Sequence, residues 1–132
     1  MTHVRRRAFP LQIISRPARE KGVTHFAILD VEDQANLIPN PSRLSVRYEL
    51  LPPLGLQANV HDPNGWTTVR HVDDPSSLAR LRRIWRAGPQ TYDAVGNNCE
   101  HFVSNVEHGE RRSPQVGGWA LALIGLVLLF GD

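Results

Sequence analysis

The spacing of hydrophobic and polar positions changes partway along the chain. Up to about residue 72 apolar residues alternate with polar ones or cluster in short β-branched runs; beyond it they recur every three or four residues. Leu44, Val46, Tyr48 and Leu50 share one face of an extended segment, and Ser45, Arg47 and Glu49 share the other. That pattern predicts a half-buried strand, ended by Pro52-Pro53. Residues 23–30, Val-Thr-His-Phe-Ala-Ile-Leu-Asp, predict a second strand, and Leu11-Gln12-Ile13-Ile14 a short first one. Residues 31–43 carry Asp, Asn, Pro and Ser and predict a loop. Residues 57–61 and 66–72 predict two more strands, joined as a hairpin around Asp62-Pro63-Asn64-Gly65.

Two helices follow. Asp74 is placed to cap the first, with Pro75 in its opening turn. Leu78, Leu81, Ile84 and Trp85 form its apolar face, and Gly88-Pro89 stops it. Arg80, Arg82, Arg83 and Arg86 fall largely outside that face and read as a solvated surface; no aromatic platform accompanies them as nucleic-acid binding would require. The second helix opens at Cys99, with Asn97 or Asn98 as its cap. It carries Cys99, Phe102, Val103 and Val106 along one stripe and ends at Gly109. Strands first and helices after predict an α+β domain.

Composition narrows the chemistry. The 132 residues suit one domain, and 41% hydrophobic content supports a core. A net charge of +2 gives no case for a nucleic-acid partner. The single cysteine excludes an intrachain disulfide and a multi-cysteine zinc site. No secretory signal is read at the start, where Arg5–Arg7 reads as a solvated basic terminus. Residues 116–131 are uncharged and as a helix would reach roughly 24 Å, a little short of a ~30 Å hydrocarbon core. The run is apolar all round, so a membrane anchor or a helix packed in an oligomer fits better than an interfacial helix. Arg111 and Arg112 before it suit the cytoplasmic side, and Trp119 suits the headgroup zone.

Cys99 is the natural candidate nucleophile. A helix N-terminus presents free N–H groups and a partial positive charge, both of which favour a thiolate. A buried small hydrophobe is the plain alternative. A nucleophilic thiol needs a base in hydrogen-bond reach and a group to orient that base. Of the six histidines, His3 lies in the terminal segment, His61 and His71 flank the expected hairpin, and His108 suits a helix C-terminus. His101, two residues from Cys99, points to another face, toward solvent or a loop. His25 opens an apolar strand, where an imidazole is unusual without a partner.

Asn98-Cys99-Glu100-His101-Phe102 resembles the nucleophile motif of the lecithin:retinol acyltransferase family, which includes phospholipid acyltransferases related to the H-Ras-like suppressors. His25-Phe26-Ala27-Ile28 resembles that family's base motif. Tyr92 and the hydrophobic tail also have counterparts, and the resemblance runs from about residue 20 onward. It implies a circularly permuted papain-like fold of the NlpC type, an antiparallel sheet followed by helices. It implies that Cys99 forms a thioester from a lipid ester or amide, with His25 as general base and no cofactor or metal. Residues 1–19 would be an N-terminal segment, 20–112 the domain and 116–131 the anchor, with the protein membrane-associated and its domain facing the cytoplasm. One departure stands out. Better-known members carry a second histidine to orient the base; here position 37 is Leu, and the next strand offers Glu49. Glu49 can serve as the orienting group or be a solvated strand residue, and His61 is a second candidate. A peptidase or amidase of the same superfamily and a catalytically silent membrane-tethered binding domain are the alternatives.

Overall fold

A computed structural model describes residues 10–18, 22–88 and 98–109. The fold is α+β. Five strands, β1 (Leu11–Pro17), β2 (Thr24–Asp30), β3 (Val46–Leu51), β4 (Gly55–Val60) and β5 (Thr67–His71), form one antiparallel sheet in the order β4-β3-β2-β1-β5. Two helices, α1 (Ser77–Arg86) and α2 (Cys99–His108), follow.

The strand pattern places the core. Leu11 and Ile13 of β1, Ile28 of β2, and Val46, Tyr48 and Leu50 of β3 pack with Leu81 of α1 and with Phe102, Val103 and Val106 of α2. Burying each such side chain stabilises the fold by ~1.5–3 kcal/mol. Tyr48 meets Trp85 edge-on, their rings 5.6 Å apart. The opposite face of the sheet is covered as well, by a smaller cluster of Ile14, Ala27 and Leu29 with Val31 and Trp66. Leu44 precedes β3 and is exposed, so the alternation holds from Val46 onward.

The expected hairpin around Asp62–Gly65 does not form. β4 and β5 lie at opposite edges of the sheet, and β5 pairs with β1 instead. The turn itself is present: Asn64 N–H reaches the Asp62 carboxylate at 3.0 Å and Trp66 N–H the Pro63 carbonyl at 3.1 Å. A flat sheet would put its outer strands about 19 Å apart over four spacings. The seven steps from Val60 to Thr67 reach about 23 Å only when fully extended, and the turn shortens them. The connection therefore runs across the sheet as a nearly taut strap that carries Trp66 past side chains of β1, β2 and β3.

Residues 31–43 hold a short 3-10 turn, Val31–Asp33, shaped by Asp30. The fully buried Asp30 carboxylate accepts from Gln34 N–H at 2.7 Å and Ala35 N–H at 2.9 Å. Burial pushes its pKa up to about 6, against the pull of those two N–H donors.

Two of the four arginines of α1, Arg80 and Arg82, depart from the expected solvated surface. Arg80 donates to the Val106 carbonyl at 2.8 Å, to the Glu107 carbonyl at 2.7 Å and to Asp74 at 2.9 Å. It thereby satisfies the otherwise open C-terminal carbonyls of α2 and sits at the negative end of that helix. Arg82 donates to the Gln34 and Ala35 carbonyls at 2.9 and 3.2 Å. A guanidinium on an apolar-patterned helix still has carbonyls to find when the neighbouring chain ends point at it. Arg83 and Arg86 are exposed. Asp74 works slightly upstream of the expected cap, accepting from Ser76 N–H at 2.8 Å, and α1 starts at Ser77.

Tyr92, Asn97, His3, Arg5–Arg7 and residues 116–131 lie outside the described residues. Among the described residues no helix is long and apolar enough to cross a membrane.

Candidate active site

α2 is held firmly at both ends. At its start Asn98 is the cap: its side-chain oxygen accepts from His101 N–H at 2.9 Å, while His101 Nδ1 accepts from Asn98 N–H at 3.4 Å. The expectation that His101 faces solvent or a loop is thus corrected. Its ring folds back onto the helix start and completes a capping box, with histidine in the place usually taken by Glu or Gln. At its end Gly109 adopts φ 75°, the left-handed conformation that closes a helix and that glycine adopts without penalty. Glu107 is gripped by Arg70 of β5 through two bonds of 2.6 and 2.5 Å. His108, at the helix C-terminus as expected, is 3.2 Å from Glu107.

This fastening sets Cys99 at the first position of α2, 7% exposed, against β2 and β3. β2 and β3 pair only over Ile28–Asp30 and Val46–Tyr48. His25 and Glu49 lie past the end of that ladder, where no backbone bond joins the two strands. There the side chains make the link: His25 Nε2 and Glu49 Oε1 are 2.8 Å apart. The Cys99 thiol is close enough to the same imidazole to raise its pKa. His25 is 8% exposed and Glu49 2%, so the three groups meet almost out of water.

Burial alone would push the imidazole pKa down. The hydrogen bonds to Cys99 and Glu49, and then their charges, outweigh it and raise the pKa to about 9. Burial likewise works to raise the Glu49 pKa, but the bonds from His25 and Arg47 hold it below the ordinary carboxylate value. The arrangement is an ionised carboxylate bonded to a protonated imidazole, with the Cys99 sulfur close by.

Sequence reasoning left Glu49 between an orienting and a solvated role; it is buried and bonded to His25. His61, the other candidate, does not touch His25. Its Nδ1 sits 3.0 Å from Arg47 Nη1. Three contributors were missed. Arg47 donates from Nε to Glu49 Oε2 at 2.6 Å. Trp66 lies with its ring 5.7 Å from that of His25 and 6.2 Å from that of His61. The guanidinium carbons of Arg16 and Arg47 stand 4.8 and 4.9 Å from the Trp66 ring centre. Arg47 was legible, since it shares Glu49's strand face. Trp66 was not, because the strap that delivers it replaces the expected hairpin. Among the described residues, no group of three or more His, Cys, Asp or Glu is placed to hold a metal.

No protein family, curated protein or solved structure matches this chain.

Proposed function

We propose that this protein is a thiol-dependent acyltransferase or acyl hydrolase of the lecithin:retinol acyltransferase kind, built on a circularly permuted papain-like fold and acting on lipid esters or amides. The observation that carries the reading is a buried imidazole bonded to a buried carboxylate, with the only cysteine, at a helix N-terminus, close enough to raise the imidazole pKa.

The chemistry follows from that order. The Cys99 thiolate attacks the acyl carbonyl carbon, forming a C–S bond. Negative charge develops on the carbonyl oxygen, and the Cys99 N–H, which has no acceptor within its own helix, lies in the first turn to meet it. As the tetrahedral centre collapses, the imidazolium of His25 gives its proton to the departing oxygen or nitrogen. The now neutral imidazole takes a proton from the incoming alcohol, amine or water. That group attacks the thioester, and the thiolate is released. Glu49 holds the imidazole through Nε2, which fixes the ring and leaves its other nitrogen to exchange the proton. Tyr92, a few residues before the nucleophile in sequence, is the further family counterpart carried into this reading.

The uncharged run at residues 116–131 supports a lipid over a peptide substrate and a membrane-associated protein with its domain on the cytoplasmic side. Deleting residues 117–132 should then release the protein from membranes; unchanged partition would remove the anchor from the proposal.

The test of the chemistry is direct. Cys99 should be alkylated by iodoacetamide faster than free cysteine at pH 7, and His25→Ala should abolish the excess. Incubation with phosphatidylcholine vesicles should add an acyl mass to Cys99. Alkylation no faster than free cysteine would leave a silent binding domain. Acyl transfer from peptides but not from lipid would make the protein a peptidase.

A further inference from the structure

The two oxygens of Glu49 are divided between two partners. Oε1 faces His25 Nε2 at 2.8 Å, and Oε2 accepts from Arg47 Nε at 2.6 Å. A carboxylate held at one oxygen only can turn about its terminal torsion, a broad two-fold well. Fixing Oε2 therefore fixes where Oε1 points. We propose that Arg47 is the positioning residue of this site: seated by His61 and Trp66, it locks Glu49 against His25. This rests on the acyl-transfer reading above.

The seat of Arg47 is built from three directions. Nη1 donates to His61 Nδ1 at 3.0 Å, from the end of the β4 connection. The same nitrogen reaches the Asp62 carbonyl at 3.5 Å. The flat guanidinium lies 4.9 Å from the centre of the Trp66 ring, carried by the strap. To accept from Arg47, His61 must be neutral with its proton on Nε2. Burial and then the Arg47 charge lower its pKa, which favours that form against the weaker pull of Asp62 and Glu49. The charged and titratable groups around Glu49 are thus His25 from β2, Cys99 from α2, His61 beyond β4, Arg47 on its own strand, and Arg16 of β1 against Trp66. Arg47 also supplies the positive charge that lets a nearly unexposed carboxylate stay ionised.

The experiment is the rate constant for iodoacetamide alkylation of Cys99 from pH 4 to 10 in the full chain, with folding monitored by circular dichroism. In Arg47→Gln the acid limb of the profile should move up by about one pH unit, so that the rate at any pH on that limb falls about tenfold, the size expected for one charge-assisted hydrogen bond. Arg47→Lys, which restores the charge without the fork, should recover part of the loss. His61→Phe, which keeps the ring beside Trp66 but removes the acceptor, should shift the limb the same way by a smaller step. A folded Arg47→Gln whose profile superposes on wild type overturns the proposal, since a purely structural arginine would leave the limb in place. If Arg47→Gln does not fold, His61→Phe decides, and an unmoved limb there overturns it equally. A wild type that reacts no faster than free cysteine at any pH overturns the acyl-transfer reading, and this inference with it.

Discussion

Replacing Glu49 by Gln changes almost nothing in shape and removes one charge. In the native protein the Glu49 carboxylate is 2.8 Å from His25 Nε2. A hydrogen bond to a charged partner contributes about 1.5–3 kcal/mol. Each pH unit of displacement corresponds to about 1.4 kcal/mol. The imidazole of Glu49→Gln should therefore titrate about one to two pH units below that of the wild type. The wild-type midpoint lies at about 9. The measurement is ¹⁵N chemical shift of the imidazole nitrogens across pH 5–10, with the His25 signal assigned by its loss in His25→Gln. Stability should follow with a defined sign. The folded-state pKa of His25 is raised, so its contribution is complete below the ordinary histidine value of 6.5 and disappears as pH rises through about 9. That of Glu49 is lowered, so its contribution is present above the ordinary carboxylate value of 4.5 and is lost as pH falls below it. The penalty of Glu49→Gln in urea unfolding should accordingly be larger at pH 7 than at pH 10. A His25 midpoint that does not move, or a penalty that is the same at both pH values, would refute the assignment of Glu49 as the group that holds the base.

Three other substitutions read the scaffold around the site. Arg80→Ala removes the donors on the Val106 and Glu107 carbonyls and on Asp74, and should destabilise by about 2–3 kcal/mol in urea unfolding. Gly109→Ala should cost about 1 kcal/mol from the left-handed backbone alone, because the new Cβ would meet Arg80 Cδ at an ordinary 3.5 Å. Asn98→Ala opens the capping box and should cost about 1 kcal/mol, while Asn98→Asp should keep most of the stability; thermal melts of the two variants compare them.

Much of the scaffold is written in local pattern. The buried alternation of Val46, Tyr48 and Leu50, the stripe of Cys99, Phe102, Val103 and Val106, and the closing role of Gly109 all rest on periods of two and 3.6 that packing respects. The Asn98 cap follows from the same kind of rule. What local pattern does not contain is partner choice. Asp62-Pro63-Asn64-Gly65 has the composition of a hairpin turn and does make a turn, yet β5 finds β1, because which edges meet depends on the whole sheet. The same holds for Arg80 and Arg82, whose targets lie on elements far away in sequence. For the site, the thiol and imidazole were visible as motifs. Whether Glu49 faced water or the base was a question of where β2 and β3 part, which no short stretch of residues encodes.

The strap between β4 and β5 has a consequence for how the molecule comes apart. It joins the two edges of the sheet, it brings Trp66 over His25 and Arg47, and through Arg70 the strand it leads into is clamped to the helix that bears Cys99. β5 is exposed along its whole length and is an edge strand, so it is the natural place for opening to begin. Its release would admit water to the Glu49–His25 pair and loosen the Cys99 helix in the same event. Reactivity and edge-strand closure should then decay together in hydrogen exchange and in mild urea, leaving no half-open form that still carries an aligned thiol.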